Sequence, residues 1–239
     1  MYVSAPLVLE GLKMSVIAVI TARGGSKRIP KKNIRDFCGK PIIVYSIEAA
    51  IGSGIFDEVM VSTDSEEIAE IARAAGASVP FLRSEKTSGD FATTADVLRE
   101  VLSEYSAKGR TFDEMCCIYP TAPFVTSDKL IKAHEILQGS AADAVMPVVR
   151  FGFPPQRANI IKDGILEYQY PQFRTARSQD LEPVYHDCGQ FYFYKIKSDL
   201  TFSVDRYAPL IVPETEVQDI DNESDWIIAE MKYKLMLKA

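Results

Sequence analysis

Runs of consecutive apolar residues alternate along this chain with stretches whose apolar positions recur every three to four residues. The first run, SVIAVITA (15–22), is apolar and β-branched almost throughout, which predicts a strand buried on both faces of a parallel sheet. Gly24, Gly25 and Ser26 break it. GKPIIVYSIEAAIGSG follows, with Pro41 suited to a first helical turn and Ile42, Tyr45, Ile47 and Ala49 giving a largely apolar helix before Gly52 and Gly54. EVMVSTD reads as a short strand with a polar end. SEEIAEIARAAG (65–76) places apolar residues at 68, 69, 71, 72 and 75 and stops at a glycine, the pattern of a surface helix.

The alternation continues with ASVPFL as a weak strand and a helical stripe at Val97, Leu98, Val101 and Leu102. EMCCIYP reads as a central strand ending at Pro120, and SDKLIKAHEIL as a helix capped by Thr126 or Ser127. DAVMPVVR reads as a further strand. Strands and helices alternating at this spacing predict an open, mostly parallel α/β sheet with helices on both faces. Sites in such sheets lie at the strands' carboxyl ends. After Arg150 the pattern changes: residues 151–187 are rich in turn residues and predict a hairpin-like insertion around a Lys-Asp-Gly turn. An aromatic strand, DCGQFYFYK, and an amphipathic final helix, NESDWIIAEMKYKLMLK, follow. With no internal repeat or linker, residues 14–239 read as one domain behind an extension, 1–13.

Composition narrows the class. The chain has 239 residues, 47% of them hydrophobic, enough to bury a substantial core. Its 27 Lys plus Arg against 33 Asp plus Glu disfavour a general nucleic-acid surface while allowing a local basic pocket. The four cysteines, Cys38, Cys116, Cys117 and Cys188, lack the CxxC spacing or density of a disulfide scaffold. Reduced thiols and a cytoplasmic location are expected. No apolar stretch reaches the roughly 18 residues of a membrane span. The histidine and cysteine spacings match no zinc pattern.

Against this acidic background, residues 20–33 (ITARGGSKRIPKKN) gather Arg23, Lys27, Arg28, Lys31 and Lys32 around a glycine turn. A turn behind a buried strand exposes backbone N–H groups, and with this charge it suits phosphate oxygens. Neither GxxxxGK followed by a hydroxyl residue nor GxGxxG is present. A solvated cationic loop is the alternative.

The segment TARGGSKRIPKKNIRDFCGKPIIVYSI resembles the opening signature of the sugar-acid cytidylyltransferases that activate nonulosonic acids with CTP, and from Ser15 onward most of the chain follows their order of elements. The resemblance implies a nucleotide-diphosphosugar-transferase-like fold, CTP as co-substrate, a divalent ion (Mg²⁺, or Mn²⁺) and a homodimer joined partly through the insertion. It places Ala22, Arg23, Gly24, Gly25, Ser26, Lys27, Lys32 and Asn33 around the triphosphate, with Arg23 and Lys32 catalytic. RSEKTSGDFATT resembles the base-binding segment and implies Arg83, Ser88 and Thr93 near cytosine and ribose.

QDIDNESDW resembles the late acidic motif that holds the metal. Asp219 and Asp221 are two apart, so an extended backbone sends both carboxylates to one side, which suits one hard cation. Asp221 is the more central of the two, and helix capping is the alternative role. RSQDLEPVYHDCGQFYFY looks like the sugar-side segment. Arg174, Arg177, Gln179 and Gln190 are candidates for a sugar carboxylate, against ordinary surface polarity, and His186 is a candidate substrate contact rather than a base. His134, Trp226 and the FYFY run are expected to pack, the last in the core or against a subunit. Tyr119 before PTAP, where neuraminate-activating members commonly carry glutamine, looks more like the branch that activates pseudaminic acid, a diamino, deoxy sugar of bacterial surface glycans. Neuraminate or legionaminate activation, and an inactive nucleotide-binding scaffold, are the other readings.

Overall fold

Hydrogen bonding turns the predicted alternation into the order β1 (Val16–Thr21), β2 (Asp36–Phe37), β3 (Lys40–Pro41), α1 (Ile42–Ser53), β4 (Glu58–Ser62), α2 (Glu66–Ala74), the single turn α3 (Glu85–Ser88), α4 (Thr94–Ala107), β5 (Glu114–Ile118), α5 (Ser127–Gly139), β6 (Ala144–Arg150), β7 (Asn159–Lys162), β8 (Ile165–Tyr168), β9 (Tyr185–Asp187), β10 (Phe191–Lys195), β11 (Tyr207–Ile211) and α6 (Glu223–Met236). This is a computed structural model, and it describes residues 14–26, 28–197, 199–202 and 204–238. The expected extension, 1–13, lies outside them.

The main sheet runs β11-β6-β10-β5-β1-β4, with β9 also on β6. β1 pairs parallel with β4 and β5, and β6 with β11, while β10 runs antiparallel between β5 and β6. The sheet is therefore mostly parallel, as expected. DCGQFYFYK does not form one strand: β9 and β10 both lie antiparallel to β6 and are interrupted at residues 188–190, where Gly189 takes φ +62°. ASVPFL is not a strand either; it contributes a single bridge between Met60 and Ser78. The pairing stops as the chain reaches Pro80, which has no N–H to extend a ladder.

Period-two alternation in β1 divides the core. Val16, Ala18 and Ile20 pack with Ile43, Ile47, Ile68, Leu130 and Leu137 of α1, α2 and α5. Ile17 and Val19 pack on the other face with Leu98, Val101 and Leu102 of α4. A strand covered by helices on both faces has no polar positions to spare, which explains the unbroken apolar run. A third cluster joins Phe37, Tyr45 and Phe124 to Trp226 and Ala229 of α6, with Phe37 edge-on to both Tyr45 and Trp226 at 5.6 Å. That packing fixes the start of α6, and with it the acidic segment, beside the loop after β1.

In β10, Phe191 and Phe193 are buried. Tyr192 and Tyr194 stack on each other on the opposite face, where Tyr194 packs against the second core cluster and Phe202 while Tyr192 reaches Tyr119. His134 packs as expected, with Nε2 2.8 Å from the buried carboxylate of Glu114. The β7–β8 hairpin forms a separate two-stranded sheet around Asp163 (φ +51°) and Gly164 (φ +78°), the paired positive φ of a tight hairpin turn. Its Ile161, Ile165 and Leu166 are exposed.

Candidate active site

The site is assembled at the carboxyl ends of β1, β4 and β5, where register sets Thr21 opposite Ser62 and Ile20 opposite Ile118. From these ends emerge the glycine loop, the Thr63–Ser65 turn and the Tyr119-Pro120-Thr121 segment. Between them lies a cleft of ≈ 410 Å³ lined by Thr21, Arg23, Gly25, Ser26, Arg28, Ile29, Lys32, Asn33, Tyr119, Pro120 and Thr121.

The loop is shaped by hydrogen bonds and by one close approach. Buried Asn33 donates from Nδ2 to the carbonyl of Arg23 (2.8 Å), pulling the loop's two ends together. Gly24 donates its N–H to Asp64 (2.7 Å), and a Cβ there would stand 3.1 Å from Ser65 Cβ. Glycine at 24 therefore lets the loop lie against the β4–α2 turn without displacing Ser65. Gly25 has nothing within 4 Å of its Cβ position and borders the cleft. Ala22 continues the ladder, donating to the Ser62 carbonyl at 2.9 Å. Lys27 lies outside the described residues.

Most of the loop's cations are paired. Arg23 meets Asp90 at 2.9 Å, Arg28 meets Asp221 at 2.7 Å and Lys31 meets Glu67 at 2.6 Å. Lys32 differs: its ammonium donates to the carbonyl of Ile220 at 2.6 Å, while the Asp221 carboxylate stands 3.9 Å away. Burial lowers its pKa below the usual lysine value, and the charges of Asp221 and Asp219 only partly oppose that shift. A desolvated, incompletely neutralised ammonium on a cleft wall is suited to an entering polyanion.

Asp219 and Asp221 flank Ile220, whose side chain is buried, and both act on the charge of Lys32. The extended backbone thus presents the two carboxylates outward, as their spacing predicts. The capping alternative does not describe them. α6 is capped by Asn222, whose side chain accepts from the Asp225 N–H at 3.0 Å, and Asp225 accepts from the backbone of Asp221 and Asn222. Among the described residues no cluster of three or more His, Cys, Asp or Glu forms a metal cage. Two carboxylates are what a cation also held by substrate phosphates requires.

A second cavity, ≈ 490 Å³, is bordered by Val149, His186, Asp187, Cys188, Gly189, Glu214, Val217, Gln218, Asp219 and Lys232. Asp219 borders this cavity, and its neighbour Asp221 pairs with Arg28 of the first. His186 packs on Phe151 at 4.6 Å and donates from Nδ1 to the Asp187 carbonyl. Burial pushes the Cys188 thiol up to about 12, so this cysteine is no nucleophile at neutral pH.

Several expected residues are engaged elsewhere. Gln190 is 2% exposed, with its side-chain nitrogen donating to the Glu216 carbonyl (2.7 Å) and its backbone carbonyl accepting from Tyr119 N–H (2.9 Å); it braces the site from inside. Arg83, 8% exposed, donates to the Ser62 carbonyl at 2.6 Å, and Ser88 donates to the Ser84 carbonyl at 2.7 Å. Arg174 lies over the Tyr168 ring, Arg177 pairs with Asp180, and Gln179 borders a separate groove with Phe151 and Pro213. The structure does not bring these three to the cleft of their own chain. Conversely, Asp90, which residue type and spacing did not single out, holds Arg23 at the site, while Arg28, gathered with the loop cations in the sequence, reaches Asp221.

Thr93 caps α4 in a reciprocal box with Asp96, accepting from the Asp96 N–H at 3.2 Å. Thr93→Ala is therefore expected to lower stability by about 1 kcal/mol, read as a reduced urea midpoint with unchanged slope. An unaltered midpoint would refute the capping role.

Comparison with known proteins places this geometry in a lineage. The family model described as Cytidylyltransferase matches residues 17–159. A pseudaminic acid cytidylyltransferase of Campylobacter jejuni is 39% identical over 227 residues, 93% of this chain and 97% of that protein. A CMP-N,N'-diacetyllegionaminic acid synthase of Legionella pneumophila is 33% identical over 95% of this chain and 99% of the other. Among solved structures, a CMP:2-keto-3-deoxy-manno-octonic acid synthetase complexed with CTP superposes with a TM-score of 0.65 at 17% identity, covering 94% of this chain and all of the other, which shows a shared fold. Because the matched region carries the glycine loop and the Tyr119 segment, and the relatives extend the match through the acidic pair, the chain belongs to the cytidylyltransferase family.

Proposed function

We propose that this chain transfers the CMP group of CTP to pseudaminic acid, releasing pyrophosphate. The observation that carries this reading is the 39% identity, across nearly the whole of both chains, to a protein named for that activity. The acceptor's hydroxyl oxygen bonds to the α-phosphorus as the bond from that phosphorus to the bridging oxygen of the β-phosphate breaks. Pyrophosphate leaves with the electron pair, and the hydroxyl proton is lost. Such a transfer needs in-line positioning and charge neutralisation more than a covalent nucleophile.

The residues present suit those needs. Lys32, Arg23 and Arg28 border the cleft on the loop side, where they can bind the triphosphate oxygens and offset the charge gathering on the leaving pyrophosphate. Asp219 and Asp221 would hold a divalent ion between the two cavities. When bound, Mg²⁺, or Mn²⁺ with the same oxygen donors, would supply phosphate charge neutralisation and Lewis acidity there. The second cavity, with its polar rim of His186, Gln218 and Lys232, suits a sugar acid.

The free cysteines fit a reducing cytoplasm. Among the described residues no helix is long and apolar enough to cross a membrane. A homodimer fits the exposed apolar hairpin and the position of Arg174 and Arg177 outside their own chain's cleft.

The test is pyrophosphate release from CTP and Mg²⁺ with pseudaminic, legionaminic or N-acetylneuraminic acid as acceptor. Pseudaminic acid is expected to be preferred by about tenfold or more in kcat/KM, the scale on which a pocket separates close analogues. Preference for legionaminic acid would transfer the assignment to the alternative suggested by the Legionella relative. No acceptor-dependent release from folded protein would support the scaffold reading.

A further inference from the structure

Tyr119 lines the nucleotide cleft and Asp187 borders the second cavity, and one side chain joins them. The Tyr192 hydroxyl donates to Asp187 Oδ2 at 2.6 Å, and the Tyr192 ring meets the Tyr119 ring edge-on at 5.6 Å. The same carboxylate accepts the Gly189 N–H on Oδ1 at 2.8 Å, closing the bend between β9 and β10. Burial, followed by the Asp187 hydrogen bond, pushes the Tyr192 phenol far above the ordinary tyrosine range, so it remains a donor at working pH. Tyr119 is held through its backbone as well: Gln190 accepts its N–H at 2.9 Å, and Ser46 Oγ donates to its carbonyl at 2.8 Å. With the main chain pinned on both sides, the freedom left to Tyr119 is that of its ring, which Tyr192 bounds along one edge and whose hydroxyl is shared between Thr94 and Tyr192.

We propose that Asp187 is a positioning residue which, acting through the Tyr192 hydroxyl, fixes the Tyr119 ring between the two cavities and so sets affinity for the acceptor rather than for CTP. The inference rests on the proposed function in taking the second cavity as the acceptor side. Its physical basis is the directionality of a charge-assisted hydrogen bond to a carboxylate at the rim of the second cavity. Without the carboxylate, Tyr192 keeps its bulk but loses the bond that orients it. The triphosphate contacts on Lys32, Arg23 and Arg28 do not involve this network.

The experiment compares wild type, Asp187→Asn, Tyr192→Phe and the double variant in the full-length chain. KM for pseudaminic acid, KM for CTP, kcat and the near-ultraviolet circular dichroism of the tyrosines are measured. Each single variant is expected to raise acceptor KM about tenfold while leaving CTP KM within about twofold, because one charge-assisted hydrogen bond is lost. The double variant should be no worse than either single, since both act on the same bond: asparagine leaves one acceptor oxygen for the two donors of Tyr192 and Gly189 and removes the charge, and phenylalanine removes the donor. The tyrosine dichroism should weaken in Asp187→Asn.

Equal losses for CTP and acceptor, a fall in kcat alone, or additive effects would overturn the positioning role. Should wild type turn over legionaminic acid instead, the function assignment falls while the positioning role is measured with that acceptor. If no acceptor is turned over, unchanged dichroism in Asp187→Asn overturns the role by itself.

Discussion

Lys32→Ala is expected to lower kcat/KM for CTP by about 10³-fold, the upper range for removing one preorganised donor to a developing oxyanion. The size follows from its surroundings. Arg23, Arg28 and Lys31 each hold a carboxylate within 3 Å, whereas Lys32 is half-buried, bonded to a carbonyl and offset by Asp221 only at 3.9 Å. Among the described loop cations, Lys32 is therefore where a triphosphate would complete an interaction that the protein leaves unfinished.

Burial lowers the Lys32 pKa from 10.5, and the charged form is the one that binds an anion. CTP affinity is thus present below the folded pKa and lost as pH rises through it, so the alkaline limb of kcat/KM should begin below 10.5. Lys32→Arg should move that limb upward while retaining more activity than alanine. A pH profile identical in wild type and arginine variant, or a loss under tenfold in Lys32→Ala, would remove Lys32 from the nucleotide site.

Asp221→Ala should reduce turnover by roughly 10²–10³-fold with folding intact, as expected when a ligand to a phosphate-bridging cation is removed. The carboxylate is half-exposed and takes no part in the α6 cap, which Asn222 and Asp225 form, so thermal denaturation should change little. The loss should be partly recovered at raised Mg²⁺ concentration. Because Asp221 also supports the charge of Lys32, the double variant with Lys32→Ala should lose less than the product of the singles. Unchanged turnover with purified Asp221→Ala would sink the metal assignment.

Much of the architecture was legible in sequence because its causes are local. β1 carries its burial on both faces in an unbroken apolar run, α2 and α4 carry theirs in a one-sided stripe, and Thr126 announces the helix start it caps, whereas the caps Thr93 and Asn222 emerged only in the structure. The strands that were misjudged depend on partners distant in sequence. ASVPFL has strand-like composition but finds only one bridge beside β4. DCGQFYFYK reads as continuous, yet β6 pairs with it in two separate registers.

The site divides in the same way. The glycine turn, its cations and the Asp219–Asp221 alternation are short-range patterns, so residue type and spacing determined that a cationic glycine loop and a paired-carboxylate segment exist. Tertiary structure alone decided that Arg28 reaches Asp221 and that Arg23 reaches Asp90. It likewise turned Gln190 inward as a brace and let Asp187 reach Tyr119 through Tyr192. Those outcomes depend on how α6 docks on Phe37 and how the bend at Gly189 aims β9 and β10. A side chain's partner across a fold is set by the packing of elements far apart in the chain, and spacing along the sequence carries no measure of that distance.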